Sequence, residues 1–140
     1  MTQSLPKVIL DTSVFVAALL SKNSQSSPPQ VLDAWRNSQF TLIMSPQLLQ
    51  ELIVILNRQG ISLLDIQSLI TVIAKTSLFI PGAYETTILD NIDPNDNIFL
   101  AAAYEAKANY LVSLDRRHLL PLKYFHGTQI LSPSLFLRML

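Results

Sequence analysis

Short blocks of aliphatic and β-branched residues alternate with longer stretches in which apolar positions recur every three or four residues, the pattern of strands spaced by helices. Lys7-Val8-Ile9-Leu10 reads as a buried parallel strand that hands over, at Asp11-Thr12-Ser13, to a helix from Val14 to Leu20. The polar, proline-ended stretch Ser21 to Pro29 predicts a mobile loop before a helix from about Gln30 to Ser38. Phe40 to Met44 is a second strand. Ser45-Pro46 then supplies an N-cap with Pro at the first helical position, opening a helix that runs to about Arg58 and stops at Gly60. A further helix near Ser62 to Lys75 leads to a third strand, Ser77 to Ile80, ended by Pro81-Gly82.

After a segment around Tyr84 to Leu89, Asp93-Pro94-Asn95-Asp96 caps an Ala-rich helix over Asn95 to Lys107. Tyr110 to Ser113 is the fourth strand, followed by a turn around His118 to Leu120, a fifth strand at Gln129 to Leu131 and a terminal helix from Pro133. No internal repeat interrupts this order. Strands separated by helical stretches predict a single domain over residues 1–140, an α/β/α sandwich on a mostly parallel five-stranded sheet. Ligands of such folds bind beyond the carboxyl ends of the strands, at the topological switch point.

Composition narrows the chemistry. Apolar residues make up 49% of the 140 positions and charged residues only 14%, against roughly 25% charged in an average soluble chain. So few charges on a small domain predict that some apolar surface faces another chain, as in a dimer. The chain has no cysteine, which removes disulfides, thiolate metal sites and thiol nucleophiles. Its start carries no basic segment leading into an apolar one, and the run Val14 to Leu20 falls far short of the roughly 20 residues of a bilayer span. The expectation is a cytoplasmic protein without a membrane segment. Ten basic residues balance ten acidic ones, so any grip on a polyanion is local.

Four carboxylates stand out. Asp11 follows the first strand and Asp115 follows the fourth after one residue, which puts both at the carboxyl edge of the sheet. Asp96 lies in the first turn of the helix leading into the fourth strand. Glu51 falls beside Ile55 at the border of the apolar arc of its helix, a half-buried position. Each has an ordinary structural explanation: Asp11 or Ser13 as a helix cap, Asp93 and Asp96 as acids around Pro94 at a helix start, Asp115 paired with Arg116 or Arg117, Glu51 as a solvated border residue. Convergence changes the weighing. Two carboxylates about 4 Å apart repel by roughly 4 kcal/mol at an effective dielectric near 20, so a group of them calls for a cation. Mg²⁺ or Mn²⁺ takes oxygen ligands and leaves positions for water and phosphate, the arrangement of metal-assisted phosphodiester hydrolysis.

The strand before Asp11-Thr12-Ser13-Val14, the Ser45-Pro46 helix bearing Glu51, the run Asp93-Pro94-Asn95-Asp96-Asn97, and Tyr110 to Asp115 followed by His118-Leu119-Leu120 resemble the PIN domain family. Ile130-Leu131-Ser132-Pro133 with Phe136-Leu137 extends the likeness to the end of the chain, nearest to the bacterial PIN group of type II toxin–antitoxin toxins. The resemblance implies an α/β/α fold with strand order 3-2-1-4-5 and a Mg²⁺- or Mn²⁺-dependent ribonuclease that leaves a 5′-phosphate and a 3′-hydroxyl. It implies Asp11, Glu51, Asp96 and Asp115 as the catalytic, metal-holding quartet, supported by Thr12 or Ser13, Asp93, Asn97 and Ser113. RNA is the implied substrate, an antitoxin protein and a second copy of the chain the implied partners. Leu114 stands where the family often has Gly.

Lys22, Arg116, Arg117 and Lys123 are the candidates for RNA phosphate contact. His118 and His126 lie in no motif with a Ser nucleophile and read as structural. Trp35 and Phe40 read as core. A catalytically silent PIN-fold binding or scaffold protein is the competing reading, opposed by retention of all four mutually repelling acids. A phosphoacceptor receiver domain lacks its Lys after a late strand, since Ser132-Pro133 stands there. A haloacid-dehalogenase phosphatase needs an acid where the chain has Ser13.

Overall fold

The computed structural model describes residues 4–90 and 93–140. Met1 to Gln3, part of the start considered above, lie outside them. Among the described residues the elements are β1 (Lys7–Leu10), α1 (Thr12–Leu20), α2 (Ser27–Arg36), β2 (Thr41–Met44), α3 (Pro46–Arg58), α4 (Leu63–Thr76) and β3 (Leu78–Phe79). They continue with a 3₁₀ turn at Pro94–Asp96, α5 (Asn97–Ala106), β4 (Tyr110–Val112), β5 (Tyr124–Phe125), β6 (Thr128–Leu131) and α6 (Pro133–Met139).

The sheet runs β3-β2-β1-β4-β6-β5. All neighbours are parallel except β5 and β6. The five parallel strands lie in the expected order, and the sixth is an addition at the edge. Its cause is a two-residue turn: Phe125 pairs with Thr128, and the residues between, His126 and Gly127, both hold positive φ, at 49° and 87°. Tight hairpins with right-handed twist need that conformation. Two aromatic residues before one glycine are too short for an alternation signal, so the sequence pattern does not disclose β5.

Local chemistry explains the other boundaries. α2 begins at Ser27 because Pro28 and Pro29 occupy its first turn, where a missing N–H breaks no helical bond. The loop before it is held by the hydroxyls of Ser21 and Ser26, which bond each other and the Asn23 backbone, and by the Asn23 side chain, which accepts the Gln25 N–H. α3 starts with Ser45 accepting the Leu48 N–H at 3.2 Å. It stops as predicted: Gly60 takes φ 75°, and the N–H groups of Gly60 and Ile61 return to the carbonyls of Asn57 and Leu56, the double closure that satisfies a helix's last acceptors.

The core is continuous. Val8, Ile9, Leu42, Ile43, Leu111 and Val112 are fully enclosed in the central strands, helices α1, α2 and α6 pack on one another, and α5 lies along β1, β2 and β4. Trp35 and Phe40 are buried as expected, with Phe40 edge-on to Phe136 at 5.2 Å. Ala101, Ala102, Ala103 and Ala106 are buried on α5; small side chains let that helix lie close to the sheet and bring its N-terminus to the carboxyl edge. After β1 the chain goes one way across the sheet and from β4 it goes the other, so the switch point lies between β1 and β4. No helix among the described residues is long and apolar enough to cross a membrane.

Candidate active site

Asp11 continues β1 past its last residue, its N–H bonding the Val112 carbonyl of β4 at 2.9 Å. Its carboxylate caps α1, accepting the Ser13 N–H at 3.4 Å and the Ser13 hydroxyl at 3.1 Å. It also accepts the Ser113 hydroxyl across the strands at 2.6 Å. Capping and site membership are thus two uses of one side chain, which stays only 6% exposed.

Asp115 is set by the turn after β4. Its N–H donates to Ser113 Oγ at 2.9 Å, while its Oδ1 accepts the backbone N–H groups of Arg117 and His118 at 3.0 and 3.1 Å. That turn swings the His118 ring inward, with Nδ1 at 3.5 Å from Asp115 Oδ2. The same nitrogen lies 3.7 Å from Asp93 Oδ2 and 3.8 Å from Asp96 Oδ2. Asp93 uses its other oxygen to cap the 3₁₀ turn, accepting the Asn95 N–H at 3.2 Å. Asp96 is buried, and its Oδ2 has no hydrogen-bond partner among the described residues.

Crowding of acids perturbs their proton affinities. Burial is the main reason Asp96 is pushed up to about 8, reinforced by a proton shared with Asp115 and by the charges of Asp11, Asp93 and Asp115. Burial also raises Asp11 above the usual carboxylate range, against the lowering pull of Ser113 and Ser13. For Asp115 burial pushes upward too, but the proton shared with Asp96, the two backbone N–H groups and His118 together bring it below its ordinary value. Two carboxyls pushed in opposite directions across one shared proton mark a site under electrostatic load.

The PIN domain profile matches residues 7–117. The chain belongs to the PIN domain family. Among curated proteins no match is found. Among solved structures, the crystal structure of VapBC2 from Rickettsia felis bound to a DNA fragment from their promoter is similar in fold, with a TM-score of 0.59 and 18% identity over 89% of this chain and 96% of that one.

Within this PIN domain the residues singled out in the sequence divide. Asp11, Asp96 and Asp115 influence one another electrostatically, with Asp93 beside them. Ser13 and Ser113 bind into the same group, and Thr12 is buried at the start of α1. Glu51 is half-buried on α3, as its helical position predicts, and makes no hydrogen bond or ion pair with these groups. Asn97 does not bond the acids of the cluster. Its side-chain oxygen accepts the Leu89 N–H at 3.0 Å and its nitrogen donates to Asp90 at 2.8 Å, tying the 89–90 segment to α5. Lys22, Arg116, Arg117 and Lys123 are exposed. Arg116 and Arg117 do not pair with Asp115: among the described residues the only ion-pair contact to its carboxylate is from His118. Leu114 is 40% exposed, so its bulk lies largely outside the packed interior. A groove of about 370 Å³ opens beside α5, lined by Gln47, Tyr84, Asp90, Asn97 and Glu105 among others, and the acids of the cluster are not part of its wall.

His118, read from the sequence as structural, stands among these acids. The available signal was its place three residues after Asp115, the distance over which an Asp can gather backbone N–H groups into a turn. Asp93, Asp96 and His118 each offer one ligand atom, all within 4.8 Å of one another. Several carboxylates with an imidazole, and one buried oxygen that receives no N–H or hydroxyl donor, fit a divalent cation.

Proposed function

We propose that this PIN domain is a Mg²⁺- or Mn²⁺-dependent endoribonuclease that hydrolyses RNA phosphodiester bonds, and that it is the toxin component of a type II toxin–antitoxin pair. The observation that carries the first part is Asp96: a buried carboxyl whose Oδ2 receives no N–H or hydroxyl donor among the described residues and which has only another acid, Asp115, to share a proton with. Leaving such an oxygen unsatisfied costs about 1–3 kcal/mol. A cation supplies the missing partner.

Asp11, Asp96 and Asp115 hold the ion in this reading, and Glu51 holds it from α3 or orients the attacking water. The bound ion supplies Lewis acidity toward the phosphoryl oxygens and the water. Ser13 and Ser113 fix the Asp11 carboxylate through its hydrogen bonds, and the N–H groups of Arg117 and His118 fix Asp115. Water oxygen bonds to phosphorus and gives up a proton as the P–O3′ bond breaks; O3′ takes up a proton in return, so the net exchange is one water for one 3′-hydroxyl and one 5′-phosphate. Arg116, Arg117, Lys22 and Lys123 are the cations proposed to contact the RNA backbone. Arg116 and Arg117 follow the site directly, and their guanidinium groups do not pair with Asp115.

The antitoxin partner rests on the resemblance to the toxin group and is supported by the likeness in fold to VapBC2. Exposed Ile53, Val54, Leu63 and Leu64 on α3 and α4 fit contact with another chain, an antitoxin or a second copy in a homodimer.

RNA digestion by metal-depleted protein, with and without restored Mn²⁺ or Mg²⁺, tests the reading when Asp11→Asn is run alongside. Cleavage returns with the ion in the wild type and stays absent in the variant. Cleavage by Asp11→Asn prepared free of wild-type protein overturns the catalytic assignment.

A further inference from the structure

The His118 imidazole is surrounded by carboxylates from separate parts of the chain, and it bonds none of them. Its Nδ1 lies 3.5, 3.7 and 3.8 Å from oxygens of Asp115, Asp93 and Asp96. An imidazole N–H that serves as a donor closes to about 2.7–3.2 Å. Spacing beyond that range leaves the nitrogen and the oxygens facing one another across a gap. One ligand atom from each of Asp93, Asp96 and His118 lies within 4.8 Å of the others, and ligands about 2.1 Å from one ion sit roughly 3.0–4.2 Å from each other, so side-chain rotation alone can close the group into a coordination shell. The second observation is independent of the spacing: Asp96 is 8% exposed, its Oδ2 faces this nitrogen, and no N–H or hydroxyl among the described residues donates to it. A histidine placed to satisfy that oxygen would be bonded to it.

We infer that His118 is a nitrogen ligand of the ion, coordinating through Nδ1 beside Asp93 and Asp96, and that it tilts the pocket from Mg²⁺ toward first-row transition ions. The inference rests on the proposed metal-dependent function and deepens it. Mg²⁺ takes oxygen ligands and keeps much of its water, whereas imidazole adds affinity for transition ions. The other histidine, His126, provides an internal control. It lies in the β5–β6 turn, stacked edge-on against Tyr104 and Phe125.

The experiment uses Mn²⁺ as the probe on the full chain and reads electron spin-echo modulation from ligand ¹⁴N, independently of RNA cleavage. Wild type and His126→Gln show imidazole modulation, and His118→Gln loses it while binding Mn²⁺ more weakly. Competition between the ions gives a second readout: His118→Gln lowers the Mn²⁺-over-Mg²⁺ preference by tenfold or more. Should His118→Gln fold poorly, ¹⁵N-histidine labelling of His126→Gln assigns the coupling without it. Mn²⁺ bound with no nitrogen coupling overturns the inference and leaves the nuclease reading standing. No Mn²⁺ binding at all overturns the metal-dependent reading itself.

Discussion

Ser113 donates its hydroxyl proton to the Asp11 carboxylate at 2.6 Å, joining positions 102 residues apart at the ends of two neighbouring strands. The same oxygen accepts the Asp115 N–H, so one small side chain sets two of the acids.

Ser113→Ala removes both bonds. A hydrogen bond to a charged group contributes about 1.5–3 kcal/mol, and loss of a residue that orients a metal ligand typically costs 10–100-fold in affinity or activity. The expected outcome is Mn²⁺ affinity and RNA cleavage reduced within that range, with Ser113→Thr retaining most of both. Titration calorimetry and cleavage rates for the two variants check this.

Asp96 makes the metal-free protein pH-sensitive in a defined direction. With Asp96 at about 8 in the fold and near 3.9 in an unfolded chain, the native state binds the extra proton between those values. The contribution to stability is then fully present below about pH 4 and is lost progressively as pH rises through 8. Asp96→Asn removes this loss, so without metal the variant melts above the wild type at pH 8, and the two converge toward pH 4. Coincident melting curves at pH 8 would show that Asp96 carries no such load.

Metal binding reverses that dependence. An ion at Asp96 must displace its proton, so Mn²⁺ affinity should rise between pH 6 and 8. Calorimetry in buffers of different ionisation enthalpy should detect proton release in that interval. Affinity independent of pH would place the ion away from Asp96.

Arg116 and Arg117 stand exposed beside the site, with no carboxylate partner among the described residues. If they meet RNA phosphates, Arg116→Ala and Arg117→Ala each weaken RNA binding, raise KM with little change in kcat, and reduce the slope of log affinity against log salt by about 0.7 each. Binding isotherms at several salt concentrations distinguish this from a merely solvated face, for which neither slope nor KM moves.

Asp11, Asp115 and Ser113 were legible in the sequence because strand ends are local: once β1 and β4 are recognised as parallel neighbours, residues just past them must meet. The helix signals were equally local, as Ser45-Pro46 and Gly60 illustrate. His118 was not legible, since its ring reaches the acids only through the turn that Asp115 itself organises, and no periodicity encodes that. Asn97 shows what motif spacing leaves out: its amide holds Leu89 and Asp90 in this structure, and no spacing encodes those contacts. Glu51 was placed correctly as a half-buried residue by helical geometry, but a wheel gives a direction within one helix and not a distance to another element.

A crystal of the protein soaked with Mn²⁺ and read by anomalous scattering locates the shared cation pocket without recourse to activity. An anomalous peak is expected within about 2.0–2.3 Å of carboxylate oxygens from Asp11, Asp96 and Asp115. A fully occupied ion elsewhere, with those three acids unliganded, would refute a common metal pocket.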